Sequence, residues 1–274
     1  KINQALMTTI VFPGQGSQFL CMAKDFHDNF KIAKQIYEEI EDYTKIDLRK
    51  IIFENIDNKL DLTQFTQICI FASSYVIFKI YINESNLKLD DINVMLGHSL
   101  GEYTALACSN KISLKECSLI LKKRGELMNN AVKPNETGMA ALIGKDANFV
   151  QKIIDENKLD VEIANDNSPM QIVISGLKED ILKYKDIFLS NNVKKYVELN
   201  VSAAFHSKFM NNAQLELSEK IKELNFLEND IKIISNFDAN PHNDNVVIKK
   251  NLQKQMANRV NWTKSIKNLE LMEE

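Results

Sequence analysis

A serine between two glycines is the first candidate for chemistry in this sequence. In the stretch VMLGHSLGEYTAL (94–106), an apolar run leads into Gly97, and helical spacing begins after Ser99. This pattern predicts a strand, a sharp turn and a helix, with the serine hydroxyl raised above the end of a sheet. Glycine on either side lets neighbouring backbone approach closely. Ser99 is therefore a candidate nucleophile, and the alternative is an ordinary strand-to-helix turn in which the serine caps the helix.

The general base for such a serine must be sought among four histidines. His98 is adjacent to Ser99, and successive side chains at a sharp turn point apart. His27 lies among charged residues in KDFHDNF and His242 in the polar stretch NPHNDN, and both settings are typical of a protein surface. His206, in AAFHSKF, lies among apolar and small residues at the predicted junction of two subdomains, where clefts tend to form. We therefore expect His206 to take the proton of the serine.

The overall composition is that of a globular protein. A chain of 274 residues can hold one large domain, or one domain that carries a smaller insertion. Its formal net charge of -3 argues against general affinity for nucleic acid. No apolar segment is expected to reach the roughly 20 residues that cross a bilayer. We therefore expect a protein that binds neither nucleic acid nor membrane, and we also expect it to be a monomer.

The four cysteines are scattered and show no CxxC spacing. We expect buried, reduced thiols and neither a disulfide framework nor a metal site. The chain opens at Lys1, and residues 8–12 already have the pattern of a core strand. We expect any targeting segment to have been removed or never to have been present.

The elements around the serine can be predicted from hydrophobic spacing. A strand at 8–14 leads into a glycine-containing loop, and a mostly apolar helix is predicted at 62–82. Amphipathic helical spacing covers 23–52, and a further helix is predicted at 113–131, before Pro134.

The pattern changes after residue 138 to the order β-α-β-β-α-β, which is that of a ferredoxin-like unit. The predicted strands lie at 138–144, 160–166, 171–176 and 194–201, and the predicted helices at 147–157 and 178–192.

The sequence therefore predicts an α/β protein of two parts. Residues 1–134 and 203–274 form an α/β hydrolase-like catalytic subdomain with a parallel sheet, and residues 135–202 form the inserted ferredoxin-like subdomain. After the insertion, the chain is expected to return to a helix through 203–210, to add a core strand at 231–237 and to close with a helix from 261.

Six motifs that span nearly the whole chain resemble those of the malonyl-CoA:acyl-carrier-protein transacylases of dissociated, type II fatty acid synthesis. They occur in the expected order and at the expected separations: VFPGQGSQ (11–18), GHSLGEYTAL (97–106), RGELM (124–128), NDNSPMQIVISG (165–176), AFHSKFM (204–210) and NWTKS (261–265). Members of that family continue beyond the tryptophan helix into a further strand and a Gly-Pro-Gly loop, which the residues up to Glu274 do not include.

The resemblance assigns Ser99 as the acylated nucleophile and His206 as its base. It also implies that a main-chain carbonyl, at the position matched by Gln255, orients the histidine in place of a carboxylate. A neutral carbonyl can fix the imidazole tautomer, but it stabilises imidazolium less than a buried aspartate would. Asp238 is the rival orienting residue.

The resemblance further implies an oxyanion hole of two backbone N–H groups, from Leu100 and from Gln15. The glycines that flank Gln15 would let that loop approach the developing negative oxygen. The alternative for PGQGSQ is a phosphate-binding loop, but the GK[ST] that a P-loop requires is absent.

Arg124 matches the family arginine that binds the malonyl carboxylate with a bidentate fork. The alternative is a solvated arginine at the end of LKKRGE. Gln171 and His98 match family positions near the substrate, and Met128 is expected to line the pocket.

The implied reaction is a ping-pong transfer of malonyl from malonyl-CoA to the phosphopantetheine thiol of acyl carrier protein through a malonyl-serine, with no metal or redox cofactor. Acyl carrier proteins are acidic, and lysine pairs at 122–123, 194–195 and 249–250 could form a local docking patch.

The alternative functions are a serine thioesterase or esterase, and a non-catalytic module that binds carrier protein. Composition suits either a plastid-type organelle, such as an apicoplast, or a bacterial cytoplasm.

Overall fold

Two four-stranded sheets organise the computed structural model, which describes residues 7–272. The first sheet has the order β1-β2-β7-β8, in which β1, β2 and β7 are parallel and β8 is antiparallel. The second has the order β4-β5-β3-β6 and is antiparallel throughout. The strands are β1 (Thr8–Phe12), β2 (Ile92–Gly97), β3 (Thr137–Ile143), β4 (Val161–Ser168), β5 (Gln171–Leu177), β6 (Lys195–Glu198), β7 (Lys232–Ile234) and β8 (Pro241–His242).

Helices pack against both sheets. They are α1 (Lys24–Asn29), α2 (Lys31–Thr44), α3 (Leu48–Glu54), α4 (Thr63–Glu84), α5 (Leu100–Cys108), α6 (Leu114–Asn130), α7 (Ala147–Asn157), α8 (Lys178–Lys183), α9 (Lys185–Ser190), α10 (Asn211–Glu223), α11 (Asn245–Lys254) and α12 (Trp262–Glu270), with 3-10 turns at Ile56–Asp61, Leu89–Asp91 and Lys208–Met210. The predicted α/β architecture, a parallel sheet joined to a ferredoxin-like βαββαβ unit, is the one observed.

The largest hydrophobic core lies around α4, which packs against α2, α5 and α6. This helix has 22 residues and is long and apolar enough, by length and composition alone, to cross a membrane. The expectation that no apolar segment reaches the length needed to cross a bilayer is therefore wrong. Because 67% of its most apolar window is buried inside the protein, α4 has the surroundings of a core helix.

Each face of the second sheet has a different neighbour. Ala140, Leu142 and Ile174 point toward the helical side and form a separate core with α7, α8 and α9. Met139 and Val173 point the other way and belong to the core of the first sheet. The second sheet therefore forms one wall of the space between the two parts. The subdomain boundaries themselves remain a prediction.

Several predicted elements are broken or shorter than expected. The helical segment 23–52 is three helices, because Phe30 is extended and Lys45 adopts a left-handed conformation (φ 58°). The segment 178–192 is likewise two short helices. The strand predicted at 231–237 has only three residues, Lys232–Ile234.

Residues 203–210 are not a regular helix. They form an irregular segment that ends in the 3-10 turn Lys208–Met210, and α10 begins only at Asn211. The prediction of buried thiols is wrong for Cys21, which is exposed, and the other three cysteines are buried.

Candidate active site

The serine turn has the sharp geometry that the sequence predicts. Ser99 joins β2 to α5 with φ 53° and ψ -107°, a conformation that few non-glycine residues adopt. The two glycines are required by contact. A Cβ atom on Gly97 would lie 2.0 Å from the backbone carbon of Gly101, and one on Gly101 would lie 2.6 Å from the carbonyl oxygen of Phe12. The hydroxyl is thus held at the N-terminus of α5.

His206 lies beside this serine although the two residues are far apart in sequence. The distance between Ser99 Oγ and His206 Nε2 is 2.8 Å. On the other side of the ring, Nδ1 is 3.0 Å from the carbonyl oxygen of Gln255 and 3.2 Å from that of Asn258. Carbonyl oxygens only accept, so Nδ1 carries the proton and Nε2 is left to accept one from the hydroxyl.

The imidazole is neutral at physiological pH. Burial, together with the nearby positive charge of Arg124, lowers the pKa of His206 to about 3. A neutral ring with a free Nε2 is the protonation state that a general base requires before reaction.

Arg124 is not a solvated arginine, since only 1% of its surface is exposed. One of its terminal nitrogens lies 2.9 Å from Ser99 Oγ and 2.9 Å from Gln255 Oε1, and the other donates to Gln67 Oε1. Its guanidinium also lies over the ring of Tyr103, 5.3 Å from the centroid.

Arg124 takes part in none of the ion pairs formed among residues 7–272. Its buried positive charge is thus held by uncharged groups next to the serine hydroxyl. Such a site is suited to an anionic ligand group.

Two polar residues that the sequence analysis missed, Asn236 and Glu102, stabilise the serine turn through hydrogen bonds. Asn236 accepts a hydrogen bond from the backbone N–H of Ser99 at 2.7 Å and donates to the carbonyl of Gly97 at 2.8 Å. Glu102, which is fully buried, accepts from the backbone N–H of Asn236 at 3.0 Å. Burial raises the pKa of Glu102 to about 7. Glu102 lies inside the GHSLGEY motif, which the sequence analysis singled out without giving this residue a role. No local sequence signal marks Asn236.

The serine opens into a cleft of about 580 Å³ between the two sheets. The residues predicted around the substrate all border it: Gln15, His98, Leu100, Arg124, Met128 and Gln171. Leu100 is the first residue of α5, where backbone N–H groups have no partner within the helix. The roles of Gln15 and Leu100 as oxyanion donors remain predictions.

His98 points away from the serine, as expected. Its Nε2 lies 2.7 Å from Asn167 Oδ1, and its ring packs against Trp262 with a centroid distance of 5.4 Å. Burial lowers the pKa of His98. His98 is therefore part of the cleft wall.

The rival residues are engaged elsewhere. Asp238 lies 2.7 Å from Nε2 of His242, so it does not orient His206. The expectation of a surface position is wrong for His27, whose ring is partly buried against Tyr37 and Phe53.

The chain is similar in sequence to known acyltransferases. Residues 9–274 match the family described as acyl transferase domain. The malonyl CoA-acyl carrier protein transacylase of Bacillus subtilis is 34% identical over 263 residues, which are 94% of this chain and 81% of the relative. A polyketide biosynthesis malonyl CoA-acyl carrier protein transacylase of the same species is 37% identical over 262 residues, with 95% and 88% covered.

Solved structures agree with these relatives. The malonyl CoA-acyl carrier protein transacylase of Coxiella burnetii superposes with a TM-score of 0.92 at 30% identity and covers 97% of this chain and 84% of its own. A malonyl-transacylase in complex with its type II polyketide synthase acyl-carrier protein gives a TM-score of 0.91 at 29% identity, with 97% and 86% covered.

The fold, the serine in the sharp turn between β2 and α5, and the family match together define an acyltransferase. Within that class, the chain belongs to the family of the malonyl CoA-acyl carrier protein transacylases.

Proposed function

We propose that this enzyme transfers malonyl from malonyl-CoA to the phosphopantetheine thiol of an acyl carrier protein, and so supplies fatty acid synthesis. The observation that carries the proposal is the buried guanidinium of Arg124, which lies 2.9 Å from Ser99 Oγ and has no carboxylate partner within residues 7–272. A carboxylate on the acyl group would complete that charge pair at the distance of the reacting serine.

In the first half-reaction, Ser99 Oγ attacks the thioester carbonyl while Nε2 of His206 takes the hydroxyl proton. The carbonyl oxygen becomes negative and is stabilised by the N–H groups of Gln15 and Leu100, each of which contributes about 3 to 4 kcal/mol. The C–S bond then breaks. The coenzyme A thiolate takes the proton from His206 and leaves a malonyl-serine ester.

In the second half-reaction, the carrier thiol gives its proton to Nε2 of His206 and attacks the ester carbonyl. The C–O bond to the serine breaks, and Ser99 Oγ takes the proton back. Gln255 contributes its main-chain carbonyl, which keeps the proton of the resting ring on Nδ1. Each step uses only side chains and backbone groups of this chain, so we propose a reaction without a metal or redox cofactor.

The malonyl group is recognised at its free carboxylate. We propose that the guanidinium of Arg124 turns from Ser99 Oγ to this carboxylate when the substrate binds, with Met128 beside the acyl chain and with Gln171 and His98 along the cleft wall. An acetyl group has no carboxylate and leaves the arginine charge unpaired. Arg124 therefore provides the preference for malonyl.

Two other functions make different predictions. In a thioesterase or esterase, water would replace the carrier thiol. A non-catalytic binding module would need neither the pair of Ser99 and His206 nor a buried Arg124.

Incubation of the intact chain with malonyl-CoA, followed by measurement of its intact mass, distinguishes the transferase, the esterase and the binding module. Stable addition of one malonyl group that is discharged by holo carrier protein supports transfer. Rapid loss of the group to water supports the esterase, and the absence of any adduct supports the module. The variant Ser99→Ala should gain no mass. An adduct on this variant would show that the nucleophile is another residue.

The partner proteins are also a proposal. A polyketide carrier is a second candidate acceptor, because a relative at 37% identity is a polyketide transacylase, and parallel assays with fatty-acid and polyketide carriers decide between them. For the compartment, we propose a plastid-type organelle or a bacterial cytoplasm, and localisation of the tagged protein in its source cell distinguishes the two.

A further inference from the structure

A carboxyl group that the proposed mechanism does not use lies directly beneath the active site. Glu102 is in the first turn of α5, and no part of it is exposed to solvent. Its Oε2 atom accepts two hydrogen bonds, one from the backbone N–H of Asn236 at 3.0 Å and one from Nε2 of Gln255 at 2.7 Å. Its Oε1 atom has no hydrogen-bond partner among the described residues.

Gln255 connects this carboxyl group to both functional parts of the site. Its main-chain oxygen lies 3.0 Å from Nδ1 of His206, and its side-chain Oε1 accepts from Arg124 at 2.9 Å. Its side-chain Nε2 donates to Glu102 and also to the carbonyl oxygen of Ser99 at 2.9 Å. One residue therefore contacts the base, the arginine and the backbone of the nucleophile.

Glu102 is one of three groups that determine which way the Gln255 amide faces, together with the Ser99 carbonyl and Arg124. An amide can rotate by half a turn and exchange its oxygen and nitrogen. With Nε2 between two acceptors, Glu102 and the Ser99 carbonyl, only Oε1 is left to face Arg124. Without the carboxyl group, only the Ser99 carbonyl holds Nε2 in place. An amide that rotates would then present N–H groups to the guanidinium, and both groups would be donors.

A purely structural role explains this carboxyl group poorly. Burial of a carboxyl group that is only partly hydrogen-bonded is unfavourable, and an apolar side chain of the same size is often as stable or more stable. Glu102 takes part in none of the ion pairs formed within residues 7–272, so no neighbouring cation offsets the burial at salt-bridge distance.

We propose that Glu102 is a positioning residue that acts through Gln255 to hold Arg124 and His206 at hydrogen-bond distance from Ser99 Oγ. Glu102 touches neither substrate nor reacting atoms. It fixes the amide that presents an acceptor to the guanidinium, and it steadies the residue whose carbonyl orients the imidazole. This inference rests on the proposed malonyl transfer, because the preference for malonyl is its main readout.

The first test replaces the carboxyl group with an apolar side chain of similar length, because the amide oxygen of a glutamine could still accept both hydrogen bonds. Glu102→Met should lower kcat/KM for malonyl-CoA by about ten- to hundredfold, as expected for the loss of the hydrogen bonds that this carboxyl group accepts. Acetyl-CoA, which does not need the arginine, should be affected less, because the His206 ring has a second carbonyl partner at Asn258. The ratio of malonyl to acetyl transfer should therefore fall.

Rates are normalised to the fraction of enzyme that forms an acyl-serine, so that misfolded protein does not contribute. The matched control is Glu39→Met, a change of the same kind on the exposed face of α2, and it should leave both rates and their ratio unchanged. An unchanged malonyl-to-acetyl ratio in Glu102→Met, whether both rates stay the same or fall equally, overturns the proposal.

A double-mutant cycle tests whether the effect passes through Gln255. In Gln255→Met the main-chain carbonyl remains, while the amide that links Glu102 to Arg124 is lost. If Glu102 acts through that amide, the combined variant should be no worse than the poorer single variant. Losses that multiply would mean that Glu102 acts by another route.

A second variant guards against failure to fold. Glu102→Asp keeps the charge but retracts the carboxyl group by one methylene, so it should lose part of the malonyl preference, and a wild-type preference would refute the contact. Failure of the proposed function would instead appear in the wild type, as an inability to transfer malonyl to carrier protein.

Discussion

Replacement of Arg124 tests the recognition of malonyl separately from the chemistry. Alanine is a poor choice, because Arg124 is almost fully buried and truncation would leave a cavity beside Gln67 and Gln255. Methionine fills a similar space without a donor or a charge. Arg124→Met removes the proposed carboxylate partner, and it also removes the 2.9 Å contact to Ser99 Oγ, so acetyl transfer is a necessary reference.

Two effects of opposite direction set the expected magnitude. Loss of a charge-assisted hydrogen bond costs about 1.5 to 3 kcal/mol, which is about ten- to hundredfold in kcat/KM for malonyl-CoA. The positive charge of Arg124 also helps to lower the pKa of His206 to about 3, so its removal should raise that pKa toward the ordinary value and make the base stronger. Acetyl transfer should therefore stay within a few-fold of the wild type or rise.

The assay is kcat/KM for malonyl-CoA and acetyl-CoA with one carrier protein, in the wild type and in Arg124→Met. A selective loss of malonyl transfer is expected. An equal fall for both thioesters would refute the reasoning, since Arg124 would then support the fold or bind the coenzyme A moiety.

Three further predictions concern the base, the buried carboxyl group and the carrier protein. His206→Ala should lower acyl transfer by about 10²- to 10⁴-fold, whereas Asp238→Asn should change it little because Asp238 pairs with His242; equal losses would contradict the carbonyl-oriented base. Burial raises the pKa of Glu102 from 4.5 to about 7, so the folded protein holds a proton on this side chain at pH values where the unfolded chain has lost it. The contribution of the protonated carboxyl group to the free energy of unfolding, measured relative to Glu102→Gln, is therefore complete below about pH 4.5 and is lost as the pH rises through 7. Denaturation at pH 5 and pH 8 should show that difference shrink by up to about 3 kcal/mol, and a constant difference would mean an ordinary pKa. Raising salt should increase KM for carrier protein much more than KM for malonyl-CoA. The reason is that salt screens the attraction between exposed charges, over a Debye length of only about 8 Å at physiological ionic strength. Equal changes in the two KM values would remove the case for docking at the lysine pairs.

The parts of the site that the sequence predicted are those with a local physical cause. The turn at Ser99 needs glycine at 97 and 101 because neighbouring backbone passes within contact distance, and that requirement is visible in five consecutive residues. The choice of His206 followed from its apolar setting. The choice of Gln255 and Arg124 required the resemblance to a family, since their spacing alone did not distinguish functional from surface residues.

The missed parts depend on contacts between distant segments. Asn236 reaches the backbone of Ser99 from the end of a different strand, across 137 residues. The bond from Gln255 to Glu102 spans 153 residues. Hydrophobic periodicity carries no information about such polar pairs. Hydrophobic periodicity also did not show the break in the predicted helix 23–52, where Lys45, in a left-handed conformation, interrupts a continuous amphipathic pattern.

The proposed recognition of malonyl and the activation of Ser99 are electrostatically opposed in the resting site. If Arg124 binds the malonyl carboxylate, as proposed, its charge also disfavours protonation of His206, and the carbonyl of Gln255 offsets this effect less than an aspartate would. Binding of the carboxylate would then neutralise the guanidinium and raise the basicity of His206 at the moment when Ser99 must lose its proton. Before the substrate binds, His206 would be the weaker base. The acetyl rate of Arg124→Met decides this point, because a lasting removal of the charge should reproduce the gain in basicity, and a large fall in that rate would contradict it.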